Sequence, residues 1–110
     1  MTMNEVYETI EPKRTEIDTL QGPTMIEFGS PTCGHCVAAQ PLLALALADH
    51  PRLRHIKIAD GSGRLLGRSF KVKLWPTLVF LSNGREVARL IRPEDATDIH
   101  RALAQFDIAK

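Results

Sequence analysis

Between Met25 and Pro41 the chain reads Met25-Ile26-Glu27-Phe28-Gly29-Ser30-Pro31-Thr32-Cys33-Gly34-His35-Cys36-Val37-Ala38-Ala39-Gln40-Pro41. Thr24 to Phe28, with Met25, Ile26 and Phe28 apolar, has the composition of a strand. Gly29-Ser30-Pro31-Thr32 is a turn. From Cys33 to about Asp49 the chain is rich in Ala and Leu, both strong helix formers. Apolar residues lie nearly all round that helix after Val37, which predicts a well-buried element. Pro41 inside it removes a backbone donor and is expected to kink it. The two cysteines therefore stand where a strand hands over to a helix. Residues three apart at a helix start lie one turn apart, within reach of a disulfide. Cys33 sits where the helix amides and macrodipole favour negative charge, which lowers a thiol pKa and raises the thiolate population. His35 can add positive charge beside it. Cys36, one turn in, is expected to be more buried and less ionised. One exposed nucleophile backed by one resolving thiol is suited to disulfide exchange.

Two other readings of the pair stay open on the residues alone. A metal site would use Cys33 and Cys36 with His35 or His55, although three ligands on one helix turn have poor geometry. Two cysteines also cannot complete a four-cysteine site on one chain, so such a site would have to bridge a dimer. The pair is otherwise incidental. Glu27, six residues before Cys33 in an apolar strand, is the second candidate. A buried carboxyl has a raised pKa and can accept a proton.

Outward from this passage, Val6 to Ile10 reads as a short strand and Pro12 to Leu20 as a short helix with Ile17 and Leu20 on one face. Residues 1–22 form an N-terminal extension. Leu53 to Ala59 alternates as a strand, with Leu53, His55, Lys57 and Ala59 on one side. Arg64 to Phe70 is a short helix burying Leu65, Leu66 and Phe70. Thr77 to Leu81 is an apolar strand, Asn83-Gly84 a tight hairpin turn, and Glu86 to Ile91 the returning strand. Pro93-Glu94-Asp95 opens a last helix, with Ala96, Ile99, Leu103 and Phe106 on one face. The order β-α-β-α-β-β-α implies an α/β fold, a mixed central sheet with helices on both faces.

The 110 residues and two cysteines suit one domain with its own core and exclude a disulfide-rich scaffold. The longest apolar run, Leu42 to Ala48, is far below the roughly 18 residues of a membrane span. The acidic first twenty residues do not resemble a secretory leader, so a cytoplasmic setting and no membrane association are expected. In that compartment a cysteine pair calls for a catalytic or metal explanation. The net charge of +1 hides an uneven distribution: −5 over residues 1–50, +8 over 51–92 and −2 over 93–110. The basic middle suits a solvated face or an acidic partner. Its scarce aromatics leave a nucleic-acid surface unsupported.

These motifs together resemble the thioredoxin superfamily from about Thr24 to Phe106. The resemblance rests on the strand leading into Cys33-Gly34-His35-Cys36, Pro41 five residues after the second cysteine, Trp75-Pro76-Thr77, and Asn83-Gly84. It implies a thioredoxin-like fold and a cis bond at Pro76. It also implies a substrate-binding role for Trp75, Pro76 and Thr77. Gly34 and His35 would modulate the dithiol. Glu27 stands where the family has an Asp that helps deprotonate the buried cysteine. Lys57 is expected to face solvent; the alternative that the resemblance implies is a lysine beside Glu27 on the neighbouring strand. Thr32, Leu74 and Arg92-Pro93 depart from the family pattern, which marks a divergent member.

The implied activity is that of a monomeric thiol–disulfide oxidoreductase serving electron transport and redox homeostasis. It would act on protein or peptide disulfides and be restored by a thiol reductant or reductase, with no metal or organic cofactor. An isomerase or oxidase direction is the alternative, since Gly-His between the cysteines resembles disulfide isomerases. A redox-responsive partner-binding protein is the rival of another class.

Overall fold

The computed structural model describes residues 3–8 and 10–106. Its elements are α1 (Arg14–Asp18), β1 (Pro23–Gly29), α2 (Gly34–Leu47), β2 (Arg54–Ala59), α3 (Leu65–Ser69), β3 (Thr77–Ser82), β4 (Arg85–Ile91) and α4 (Ala96–Phe106). The strands make one sheet in the order β2-β1-β3-β4. β1 runs parallel to β2, with Glu27 opposite Lys57, and antiparallel to β3. β3 and β4 pair antiparallel. This is the mixed sheet expected from the element order.

Alternation along the strands assigns the two faces. Met25 joins Leu78, Phe80 and Leu53 against Leu43 and Leu47 of α2 and Ile99 and Leu103 of α4. Ile26 and Phe28 join Ile58, Val79 and Leu81 against Ile17 of α1 and Leu66 and Phe70 of the α3 region. Each such large apolar side chain taken fully out of water contributes about 1.5–3 kcal/mol. Glu27 has the parity of Met25, so it faces the α2 side. His55 and Lys57, opposite Met25 and Glu27 in register, share that face.

Four expectations need adjusting, the first being that Leu65, expected in the core with Leu66 and Phe70, is exposed. α2 is not buried all round: it buries Cys36, Ala39, Leu43, Ala46 and Leu47 but leaves Val37 and Leu45 exposed. It packs on the sheet along one side only, and composition does not reveal which side. The strand expected at Val6–Ile10 is a single bridge, Glu8 to Ile58; Val6 and Ile10 are exposed, and Thr9 lies outside the described residues. The first helix is confined to Arg14–Asp18, where Glu16 accepts from the Lys13 N–H at 2.8 Å. In α4, Ile99 and Leu103 are buried as expected, while the side chain of Phe106 is outside the described set.

The hairpin between β3 and β4 uses Asn83 at φ 51° and Gly84 at φ 81°, the left-handed pair that matches strand twist. Gly84 is also pressed against the Asp18 backbone, where an added Cβ would collide. Asn83 Oδ1 accepts the Gly22 N–H at 2.8 Å, so this turn locks the end of the N-terminal extension to the sheet. Gly84→Ala combines left-handed strain with that collision and is expected to cost about 1–3 kcal/mol, read as a lower urea midpoint with unchanged slope. An unchanged midpoint would show that Asp18 yields freely.

Candidate active site

Cys33 is the N-cap of α2, in extended conformation, and its Sγ accepts the Cys36 backbone N–H at 3.2 Å. A sulfur thus occupies the place where Ser or Asp oxygens usually satisfy the first helix amides. Cys33 is partly exposed and Cys36 buried; both are free thiols. Burial first, then the hydrogen bond with Cys33, pushes the Cys36 thiol up to about 11. The buried sulfur is held protonated while the accessible one stands at the positive end of the helix. Gly34 and His35 are exposed, and a Cβ at Gly34 would touch nothing.

The Trp75–Pro76 bond is cis, as the resemblance implied. The Trp75 carbonyl lies 4.0 Å from Cys33 Sγ. That carbonyl also accepts from Arg92 Nε at 2.8 Å, and the Arg92 N–H donates to the Pro76 carbonyl at 2.9 Å. Arg92, met in the sequence only as a departure, holds a left-handed φ of 51° and pins the loop. Trp75 Nε1 donates to Asp60 Oδ2 at 2.9 Å, and the Asp60 N–H donates to the Gly29 carbonyl at 2.8 Å. The indole is thereby tied to the end of β1. Thr77 requires a correction. Its side chain is buried, with the hydroxyl donating to the Leu74 carbonyl at 2.6 Å, so it braces the loop and offers no surface to a substrate.

Glu27 is fully buried behind this centre. Oε1 accepts from His55 Nε2 at 2.9 Å. Oε2 accepts from Gln40 Nε2 at 2.9 Å and Lys57 Nζ at 3.2 Å. The Asn4 backbone N–H donates to His55 Nδ1 at 2.8 Å, which places the ring proton on Nε2. Gln40 is fully used: its amide nitrogen also donates to the Cys36 carbonyl at 2.8 Å, and its oxygen accepts from Lys57 at 2.6 Å. Burial pushes the Glu27 carboxyl up, but the hydrogen bonds from His55 and Gln40 and the Lys57 charge outweigh it and hold the group below its ordinary range. The raised pKa expected from burial alone is therefore reversed, because three donors converge on the charge. Both oxygens are engaged by these donors. Lys57, expected in solvent, is buried. His55, the ligand a metal reading would recruit, has both ring nitrogens engaged. Among the described residues no group of three or more His, Cys, Asp or Glu is placed to hold a metal.

Tyr7 was not singled out by any sequence signal. Its hydroxyl and Cys36 Sγ are neighbours lining one opening, and Lys57 Nζ lies 4.6 Å from its ring centroid. Gly29 makes room for both: a Cβ there would stand 2.7 Å from Cys36 Sγ and 3.1 Å from the Tyr7 hydroxyl. Gln40 was legible in principle, since it lies one helical turn after Cys36 on the same face.

Glu27→Gln leaves the Lys57 ammonium buried without its counter-charge and is expected to destabilise the chain by about 3–5 kcal/mol in chemical denaturation. The folded carboxyl lies below its ordinary value of 4.5. Its stabilisation is thus complete above that value and lost as pH falls through the folded pKa. Wild type is expected to lose stability on acidification below that value, and Glu27→Gln to show a flatter acid limb. Parallel acid limbs would refute the assignment.

The thioredoxin family model matches residues 7–105. Thioredoxin 2 from Pseudomonas aeruginosa PAO1 in its reduced form superposes with a TM-score of 0.87 at 52% identity, over 98% of this chain and 100% of that one. A thioredoxin of Chlamydia trachomatis serovar D is 25% identical over 84 residues, 76% of this chain and 82% of that protein. Protein disulfide-isomerase erp38 of Neurospora crassa is 37% identical over 68 residues, 58% of this chain but only 18% of that longer protein. With its free cysteine pair at a helix start facing a cis-proline loop, the chain belongs to the thioredoxin family and is a thiol–disulfide oxidoreductase.

Proposed function

We propose that the chain reduces disulfides in protein substrates through a Cys33/Cys36 dithiol cycle. The observation that carries this reading is the unequal pair: an accessible sulfur capping α2 and a buried one a turn behind it. The Cys33 thiolate attacks a substrate disulfide, forming a mixed disulfide and expelling one substrate thiolate. Cys36 then attacks Cys33, forming the Cys33–Cys36 disulfide and releasing the second substrate sulfur. A thiol reductant or reductase returns two electrons to the pair. Substrate lies across Trp75 and Pro76, next to Cys33. Glu27 keeps its charge and orders Lys57 and Gln40 behind Cys36. His35 and Gly34 leave the approach to the sulfur open.

A cytoplasmic setting fits this direction, because a reducing compartment keeps the pair in the dithiol form. The cycle would then serve electron transport to protein disulfides and redox homeostasis, with the 110 residues acting as one domain. The Gly-His pair between the cysteines and the partial match to a disulfide isomerase favour a second reading as oxidant or isomerase. The reduction potential decides between them: a value near thioredoxin's, about −270 mV, fits a reductase, and one near −180 mV fits an isomerase.

Insulin reduction with dithiothreitol is expected to fall to the uncatalysed rate in Cys33→Ser, while Cys36→Ser accumulates covalent mixed disulfides with substrate proteins. Undiminished catalysis by Cys33→Ser would refute the cycle. Partner binding that survives Cys33→Ser with no catalysis in wild type would identify a redox-responsive binding protein instead.

A further inference from the structure

We infer that Tyr7 is a catalytic residue of the resolving step, its hydroxyl donating a hydrogen bond to Cys36 Sγ as that sulfur becomes the thiolate that attacks Cys33. The inference rests on the dithiol reading above and adds a group outside the Cys-Gly-His-Cys motif.

Cys36 is 1% exposed, and an unsolvated thiolate there is costly without donors. Its own backbone N–H is committed to Cys33 Sγ. The Tyr7 hydroxyl is the donor group nearest to hand: a single Cβ at Gly29 would stand 2.7 Å from Cys36 Sγ and 3.1 Å from that hydroxyl, and its presence there favours the thiolate. Tyr7 is held in place by its neighbours. The Glu8 N–H donates to the Lys57 carbonyl at 2.7 Å, and the Asn4 N–H to His55 Nδ1 at 2.8 Å. Lys57 Nζ lies 4.6 Å from the Tyr7 ring centroid. Burial, then the Glu27 carboxylate and Cys36, push the phenol pKa upward, so it acts as a donor and not as a base.

Tyr7 and Cys36 also line an opening of about 220 Å³ together with Glu5, Pro31, Gln40 and Lys57. The Cys36 proton passes to water there. The thiolate attacks Cys33 Sγ, the Cys33–Cys36 bond forms, and the bond from Cys33 to the substrate sulfur breaks. The substrate sulfur leaves with the electron pair and takes a proton from water. Tyr7 keeps its own proton throughout.

The titratable and charged groups around Cys36 are Cys33 on its own turn, Tyr7 from the N-terminal segment, and Lys57 from β2. Glu5 stands at the opening, and Glu27 of β1 lies behind Gln40. Tyr7→Phe removes the hydroxyl and moves no charge. In a Cys33→Ser background, thiolate absorbance is expected to show Cys36 titrating about one unit higher in Tyr7→Phe, a roughly tenfold loss of thiolate at a given pH. Tyr7 is the only tyrosine in the chain, so biosynthetic 3-fluorotyrosine alters this hydroxyl alone. Its more acidic phenol donates more strongly, and the Cys36 titration is expected to move the opposite way. With both thiols present, Tyr7→Phe is expected to slow release of substrate from a preformed mixed disulfide, with the deficit shrinking as pH rises.

A Cys36 titration that moves with neither replacement, or in the same direction with both, in protein with native circular dichroism overturns the role of Tyr7. Normal insulin reduction alongside such a result overturns that role alone. Absence of insulin reduction by wild type overturns the dithiol reading and this inference with it.

Discussion

One buried negative charge organises the reactive end of this molecule. Glu27 sits on an inner strand with no access to water, and an unpaired carboxylate there would cost several kcal/mol. Its compensation comes from separate parts of the chain: His55 and Lys57 from β2, Gln40 from α2. Gln40 then reaches the Cys36 carbonyl, and Asn4 orders His55. The requirement to satisfy one charge therefore fixes the start of α2 against the sheet and draws the N-terminal segment over β2. Both consequences place atoms beside Cys36.

The two sulfurs differ in their surroundings. Cys33 stands at the helix start, where amide donors and the dipole face it. Cys36 loses water and is pushed up to about 11 by burial first. The separation between an attacking and a waiting thiol follows from one helical turn of displacement combined with burial on one side. Gly29 is part of this arrangement, because only a residue without a Cβ leaves space for Cys36 Sγ and the Tyr7 hydroxyl together. Around Cys33 the Trp75-Pro76 loop is held by Asp60 at the indole, by Arg92 at the Trp75 and Pro76 carbonyls, and by Thr77 at the preceding Leu74 carbonyl.

Much of the site was legible before the fold was known. The cysteine spacing, the strand before it and the Pro-Thr segment downstream were enough to place the dithiol and the loop facing it. The same reading put Lys57 in solvent and gave Thr77 to the substrate. A lysine in an alternating strand usually faces water, and nothing local reveals that a carboxylate stands opposite it in the neighbouring strand. Thr77 follows the proline directly, yet its alternation in β3 turns it inward. Tyr7 carries no motif at all; its position depends on how the N-terminal segment meets β2, through the Glu8–Ile58 bridge and the Asn4 bond to His55.

The sequence by itself determined the local pieces: strand, turn and helix around Cys33, the Asn83-Gly84 hairpin, and a mixed α/β order. These depend on propensity, periodicity and backbone conformation, which act over a few residues. Only the tertiary structure decided which side of α2 is buried, that Glu27 is ionised below its ordinary range, and that Tyr7 meets Cys36. Those outcomes depend on strand register and on desolvation. Both are set by residues distant in the chain, and each changes the sign or the partner of an interaction that the local sequence leaves open.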